Sequence, residues 1–503
     1  MLDLAFAPDR AAGEPVYRQL ERYLHELVRA RRLAPGEKLP ASRELAASLG
    51  VSRNTVNQAY QALVDQGLLR AHVGQGTFVS GEAVADGLRR AAPAAPRALA
   101  WEGLLARRAR AAAAPRGLFS FSTPRHVEFD LRPGRVDAAS FPAAAWKRAS
   151  SRALARLASL ADALDPRGFA PLREAVARTL LARGIACDPE EVAIVNGAQQ
   201  ALDLVARALI DPGDSVALEQ PGWFGAAQAF RACEAHLVGV GVDEEGLRTD
   251  ELARLLRARR VKLLFTTPAV QSPTGVALSD ARRRALLALA DEFQLAIVED
   301  DYDSELRYGS PATPALKTLD AAGHVIYVGT FSKALFPGLR VGYVVAPRPL
   351  LGRMALLRAA ADGHTSTLAQ ATLQDLLESG AFERHVRRVR QRYAERRSAL
   401  LAALAAHLPE GARWTPPVGG NCVWLELPVR SDVARFHALA AERGIALGPG
   451  SPFAFEGSEA ALDADRHVLL SFANLAAERA DAAAVRLADA MRRAAPAPPR
   501  RPR

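Results

Sequence analysis

Lys333 follows the run Val325-Ile326-Tyr327-Val328-Gly329-Thr330-Phe331-Ser332 and precedes Ala334-Leu335-Phe336-Pro337-Gly338-Leu339-Arg340. The apolar run reads as a buried strand that delivers one lysine into a loop of hydroxyl, glycine and proline residues. An ammonium at the end of such a run is costly to desolvate unless its charge is removed or paired. Condensation with an aldehyde removes the charge, and Arg340, seven positions on, can take an anion. Pyridoxal 5′-phosphate (PLP) is an aldehyde that carries a phosphate, which makes Lys333 the candidate catalytic residue, a Schiff-base lysine.

Other residues suit the same cofactor. Gly197 and Ala198 open a helix and offer backbone N–H groups to a phosphate. Thr330 and Arg340 can complete that site with a hydroxyl and a guanidinium. Trp223 offers a flat face for a pyridine ring, Asp300 a carboxylate for a protonated ring nitrogen, and Tyr302 a donor for the phenolic oxygen. Each has an ordinary alternative: an aspartate caps helices, a tryptophan fills cores, an arginine pairs at surfaces. The inference rests on their conjunction, each expected just past the carboxyl end of a strand.

Those strands are legible. Apolar runs at 192–195, 215–218, 261–265, 295–298 and 325–328 alternate with helical patterns such as 199–210. This is the signature of an α/β domain with a mainly parallel sheet and helices on both faces, which binds ligands at its strand ends.

The first eighty residues follow another pattern. Residues 16–31 place apolar side chains at helical spacing, and a Pro35-Gly36 break follows. A short helix over 42–49 is expected, then a turn at Gly50 and a second helix capped by Ser52 that runs to about 65. Ala46 is small where two helices cross, and Val51 and Val56 pack the second helix on the first, as in a helix-turn-helix. The second helix presents Arg53, Asn54 and Thr55, which are donor and acceptor types that read base edges, while Arg43 suits a phosphate. Residues 68–79 alternate around Gly74-Gln75-Gly76 as a hairpin wing. Ser52, Asn57, Gly74 and Gly76 complete the expected DNA-facing set.

Between the two parts, 81–117 is rich in Ala, Arg and Pro and reads as a linker, with enough helix formers for one helix over 101–114. The last residues, 496–503, form a basic tail with the composition of a disordered segment. Net charge is +10, which fits a polyanionic partner, although an Ala/Arg-rich composition from a GC-rich genome gives the same sum. Cys187, Cys233 and Cys422 are scattered without metal-ligand spacing and read as reduced thiols. No apolar run is long enough to span a bilayer and Met1-Leu2-Asp3 begins no signal peptide, so a cytoplasmic protein is expected.

Residues 14–80 resemble the winged helix of the GntR family, through Leu39-Pro40-Ala41-Ser42-Arg43, Ser52-Arg53-Asn54-Thr55-Val56 and Gly74-Gln75-Gly76-Thr77-Phe78-Val79. Residues 120–495 resemble fold-type-I PLP enzymes of the aminotransferase class. The matching segments are Asp165-Pro166-Arg167-Gly168, Asn196-Gly197-Ala198-Gln199-Gln200, Ser272-Pro273-Thr274-Gly275, Glu299-Asp300-Asp301-Tyr302-Asp303-Ser304-Glu305 and Gly329-Thr330-Phe331-Ser332-Lys333. Joined, they look like a MocR-type transcription regulator. The resemblance implies a winged helix over 1–80, a PLP domain over 118–495 with a smaller C-terminal α/β subdomain over about 395–495, and a homodimer formed through the PLP domain. It adds Gln199 to the phosphate environment and Ser272 to the ring-oxygen contacts.

Three positions depart from the aminotransferase pattern. Ser272 stands where Asn is usual, Ala163 where a tyrosine lends a phosphate contact across the dimer, and Leu469 where an arginine holds the substrate carboxylate. The leading expectation is therefore a regulator that senses PLP, or an amine that exchanges onto it, and binds paired half-sites in duplex DNA. An active aminotransferase with a DNA-binding extension is the alternative, to which an arginine such as Arg466 reaching the pocket would point. A third reading makes the PLP-type domain only a dimerisation scaffold, against which the intact Lys333, Asp300, Tyr302 and Arg340 argue.

Overall fold

The computed structural model describes residues 6–9, 13–30, 32–72, 75–80, 101–111, 126–162, 164–303, 305–308, 313–429, 431–454 and 466–495. It divides into two compact units, Met1–Leu104 and Leu105–Arg503.

In the first unit, α1 (Val16–Arg29), α2 (Ser42–Leu49) and α3 (Arg53–Asp65) pool their apolar faces. Leu20, Leu24 and Leu27 of α1 meet Leu45 and Ala46 of α2 and Val56, Ala59 and Leu63 of α3 in one buried core. Gly50 ends α2 with φ 62°, in the left-handed region that glycine enters without penalty, and donates its N–H to Ala46. Ser52 Oγ then accepts from the Thr55 N–H at 3.1 Å and starts α3. Strands β1 (Leu69–His72) and β2 (Gly76–Val79) pair antiparallel, Leu69 opposite Val79, as the wing. The expected wing-tip residue Gly74 lies outside the described residues.

Where one helix was expected over 101–114, α4 (Trp101–Leu104) and α5 (Arg107–Ala111) stand as separate short pieces. Gly103 weakens the helix in its first turn, and segments this short do not propagate without packing. In the second unit, α5 finds such packing against the helix Phe224–Ala232. The rest of the linker and the tail lie outside the described residues.

In chain order the strands of the second unit are β3 (Phe129–Leu131), β4 (Val192–Val195), β5 (Ser215–Gln220), β6 (His236–Asp243), β7 (Gly246–Leu247), β8 (Leu263–Thr266), β9 (Ala296–Asp301), β10 (Val325–Thr330), β11 (Gly342–Val345), β12 (Arg413–Trp414), β13 (Cys422–Glu426), β14 (Ile445–Pro449) and β15 (His467–Ser471). The larger sheet runs β4-β11-β10-β9-β8-β5-β6-β7. Its centre, β10 through β6, is parallel, and β11, β4 and β7 are added antiparallel. Continuous buried runs such as Val-Ala-Ile-Val in β4 suit strands covered on both faces. Helices Ala198–Leu209, Phe224–Ala232 and Arg348–Ala359 cover one face, and Ala170–Leu181, Thr249–Ala258 and Asp280–Phe293 the other.

The smaller sheet, β12-β13-β15-β14-β3, is antiparallel except at its β14–β3 edge. That edge draws Phe129 and Leu131, from ahead of the larger sheet, into the small lobe's core. One helix of 27 residues, Ala381–His407, joins the lobes: Phe382 and Val386 belong to the large core, Leu400 and Leu404 to the small one.

Candidate functional site

Period two along the central strands decides which polar residues face the site. In β9, Val298 and Asp300 share a face, which turns Glu299 and Asp301 the other way. Glu299 accepts from the N–H groups of Leu316 at 2.8 Å and Lys317 at 2.9 Å, and Asp301 accepts from Arg183 and from the Tyr327 hydroxyl at 2.6 Å. Both carboxylates therefore have structural partners. Asp300 looks into a cavity of about 430 Å³ shared by the two lobes. Thr330 follows Ile326 and Val328 along the same face of β10, and Lys333 enters from the loop beyond.

Asp300 and Thr330 were expected beyond their strands but lie within them. The β9–β10 ladder continues through Val328 opposite Asp300 and Gly329 opposite Asp301, so backbone pairing outlasts the apolar run.

Nine of the ten residues expected to hold a cofactor line this cavity: Ala198, Gln199, Trp223, Ser272, Asp300, Tyr302, Thr330, Lys333 and Arg340. The tenth, Gly197, stands directly behind it as the cap of the helix Ala198–Leu209. A Cβ on Gly197 would lie 3.2 Å from the Arg340 guanidinium, and its φ of 81° suits glycine alone. Arg340 Nη2 donates to the Asn196 carbonyl at 2.7 Å, which fixes the guanidinium beside the helix N-terminus. Thr330 Oγ1 donates to Ser332 Oγ at 3.1 Å and faces the same end. Gln199 sends its side-chain amide to the Gly225 carbonyl at 2.8 Å, so its contribution to an anion is its backbone N–H.

Burial sets the electrostatics. It pushes the Asp300 carboxyl up to about 8, with a further rise from neighbouring Asp301 and an opposing pull from Lys333. Asp300 Oδ1 is buried with no hydrogen-bond partner among the described residues. A protonated ring nitrogen is the kind of group that satisfies such an oxygen, and PLP has one. Burial drives the Tyr302 phenol well above its ordinary value, and a hydrogen bond with Ser272 works against that rise. The Lys333 ammonium lies 5.7 Å from the centre of the Tyr302 ring. Together these residues fit PLP: a cation and helix N–H groups for the phosphate, an unpartnered carboxylate oxygen for the ring nitrogen, and a lysine for the aldehyde.

Beneath the site, Glu219 at the end of β5 is fully buried and accepts from the Thr266 hydroxyl, from Thr267 Oγ1 at 2.7 Å and from Gln271 Nε2 at 3.2 Å. Gln271 in turn donates to the carbonyls of Pro221 and Ser272, which fixes the loops carrying Trp223 and Ser272. Nothing in the sequence pattern marked this brace.

The small lobe supplies residues that sequence reasoning did not select: Phe453, Asn421 and Cys422, while Phe224 and Asp303 come from the large one. Asp303 is buried, its carboxyl is raised to about 7 by desolvation, and its Oδ1 has no partner among the described residues. Leu469, from the middle of β15, lines the cavity and packs with Trp424 and Phe453. Arg466 is ion-paired with Glu426 across the small sheet and does not line the cavity. Ala163 lies outside the described residues.

On the winged helix, Arg43, Ser52, Arg53, Asn54 and Asn57 are exposed and Thr55 is half-buried. Ser52 and Thr55 share a hydroxyl hydrogen bond of 2.8 Å. Arg53 Nε donates a long hydrogen bond of 3.5 Å to Ser42 Oγ, and Asn54 and Asn57 stand exposed beside it. At the wing, a side chain on Gly76 would collide with the Lys38 stem 2.8 Å away.

Two family models match the chain: bacterial regulatory proteins of the gntR family over residues 16–79, and aminotransferase class I and II over residues 134–487. The probable rhizopine catabolism regulatory protein MocR of Rhizobium meliloti is 37% identical over 80% of this chain and 80% of its own length. The HTH-type transcriptional regulator TauR of Rhodobacter capsulatus is 36% identical over 86% of this chain and 89% of its own. Among solved structures, the α-aminoadipate aminotransferase LysN of Thermus thermophilus, complexed with N-(5′-phosphopyridoxyl)-L-leucine, superposes with a TM-score of 0.71 at 33% identity, over 78% of this chain and 98% of its own. No helix among the described residues is long and apolar enough to cross a membrane. The two regulators match this chain across four-fifths or more of their length, from winged helix into aminotransferase fold, and the chain belongs with them to the family of HTH-type transcriptional regulators that join a gntR-type module to an aminotransferase domain.

Proposed function

We propose that this regulator carries PLP on Lys333, responds to PLP itself or to an amine that exchanges onto it, and conveys that state to a winged helix bound to DNA in the cytoplasm. The observation that carries the reading is Asp300, whose unpartnered buried oxygen shares a cavity with Lys333 and Arg340. When bound, PLP supplies an aldehyde that condenses with primary amines and a ring that withdraws electrons. Arg340, Thr330 and the N–H groups of Ala198 and Gln199 hold its phosphate, and Asp300 keeps a proton at the ring nitrogen. Trp223 covers the ring, and Tyr302 with Ser272 donates to its phenolic oxygen.

Sensing is favoured over turnover because the wall opposite has Leu469 and, among the described residues, no arginine. Transamination needs the Cα–H bond held perpendicular to the ring, and a bidentate cation on the carboxylate does that. A carboxylate against Leu469 is desolvated without a partner, at a cost of several kcal/mol. On the DNA side, Arg53, Asn54 and Thr55 read bases, and Arg43 and the wing hold the backbone. A homodimer formed through the large unit brings two such modules to paired half-sites.

The purified protein is expected to be yellow, and Lys333→Ala to lose the lysine-bound absorbance while keeping the far-UV dichroism of the wild type. Footprinting upstream of its own gene, with and without PLP, is expected to show a ligand-dependent pattern. Unchanged absorbance in the variant sinks the lysine assignment. Steady multi-turnover production of keto acids from common α-amino acids overturns the sensing role.

A further inference from the structure

We propose that the small-molecule effector is a primary amine with an apolar, preferably aromatic, body and no carboxylate. This rests on the reading that the cavity holds PLP at Lys333, and it assigns the part of the cavity that the cofactor leaves over.

The cofactor's needs account for one side of the cavity. Arg340 is the only guanidinium among the described lining residues, and its hydrogen bond to Asn196 holds it at the phosphate end. Across from it the lobes meet in an aromatic wall. The Phe224 ring lies tilted 4.2 Å from Trp223 and 5.6 Å from Phe453, which lies 5.8 Å from Trp424. Leu469, only 5% exposed, closes that wall from β15. Asp303 shares the cavity and leaves one buried oxygen without a hydrogen-bond partner among the described residues, and Lys333 is close enough to favour its ionised form. An anion there meets apolar side chains and a carboxylate, with no guanidinium among the described lining residues to repay its lost hydration. An ammonium is drawn in by the same carboxylates, and an apolar body gains by leaving water.

The chemistry balances. The effector's nitrogen would replace Lys333 Nζ on the cofactor's imine carbon, one C=N bond forming as another breaks. Lys333 leaves as an ammonium with the protons that the incoming ammonium gives up, so charge and redox state are unchanged.

The test uses full-length protein reconstituted with PLP and two ligands that differ only in the carboxylate, 2-phenylethylamine and L-phenylalanine. Cofactor absorbance and affinity for operator DNA are both read. The amine is expected to half-saturate at a concentration at least about tenfold lower. Lengthening butylamine to hexylamine is expected to tighten binding by roughly fifteenfold, since two methylenes each contribute about fourfold. Leu469→Arg is expected to reverse the preference for phenylethylamine, and the ligand pair decides on the wild type alone if that variant fails to fold. Equal or tighter binding of L-phenylalanine overturns the inference, as does indifference to chain length. A protein that takes up no PLP refutes the underlying reading and this one with it. A PLP-bearing protein without amine preference refutes this one alone.

Discussion

Asp300 makes stability depend on pH before any ligand arrives. Its carboxyl loses a proton near pH 3.8 in the unfolded chain and at about 8 in the folded one. The unfolded state therefore releases protons first as pH rises, so the stabilisation is full below pH 4 and is lost progressively up to about pH 8. Asp303 and Glu299, each raised to about 7, act in the same direction. The cofactor-free Asp300→Asn variant is expected to be more stable than wild type at pH 8 by a few kcal/mol, and nearly equal at pH 4. Each pH unit over which only the folded protein keeps the proton contributes roughly 1.4 kcal/mol to that difference. Urea midpoints at several pH values measure this, and parallel profiles for the two proteins would sink it. A second expectation concerns Gly197. Alanine there must adopt φ near 81° and displace the Arg340 guanidinium, so Gly197→Ala is expected to weaken PLP binding at least about tenfold, as an absorbance titration would show. Single residues of this kind were legible because their chemistry is local to a strand end: Asp300 and Thr330 stand at positions that period two can assign, and Lys333 follows three residues on. Asp303 and Cys422 were not legible, because only folding brings the loop at Gly420 against the Asp303 carboxylate. The approach is so close that a Cβ on that glycine would lie 2.7 Å from the carboxylate oxygen.

At the scale of elements, α2 and α3 have the bounds that the sequence implied, because their ends are set by neighbours in the chain: Gly50 for one and Ser52 for the other. Removing the cap tests this. Ser52→Ala is expected to destabilise the winged helix by about 1 kcal/mol and leave base preference unchanged. Arg53→Ala is expected to leave stability unchanged and relax specificity at one base pair, at about 1–3 kcal/mol. Urea melts and a panel of operator variants separate the two, and a specificity change in the serine variant would count against the division of labour. Elements whose ends depend on distant partners were less legible. β9 and β10 run past their apolar cores because each supplies the other's hydrogen bonds, and no window of sequence contains both. β3 joins β14 with Phe129 opposite Ile445, a pairing that no local pattern announces. The helix expected over 101–114 divided for the reverse reason, since propensity alone could not sustain it.

For the whole molecule, the proposed homodimer, with one DNA-binding unit per chain, makes affinity a property of two half-sites together. Deleting one half-site from the operator is expected to lower affinity at least about tenfold, and the loss should vary with the spacing between half-sites in steps of a helical turn. Gel-shift titrations at fixed salt measure it, and equal binding to full and half operators would contradict the dimeric arrangement. The path of the chain adds a mechanical consequence. The first strand after the linker, β3, is built into the edge of the small lobe and not into the large sheet. The small lobe also contributes Leu469 and Phe453 to the cavity wall. Ahead of β3, α5 packs on the helix Phe224–Ala232 of the large lobe, so the stretch of chain between α5 and β3 has its two ends fixed to different lobes. A ligand that moved one lobe against the other would change the separation of those two ends, and with it the span that the chain between them has to cover.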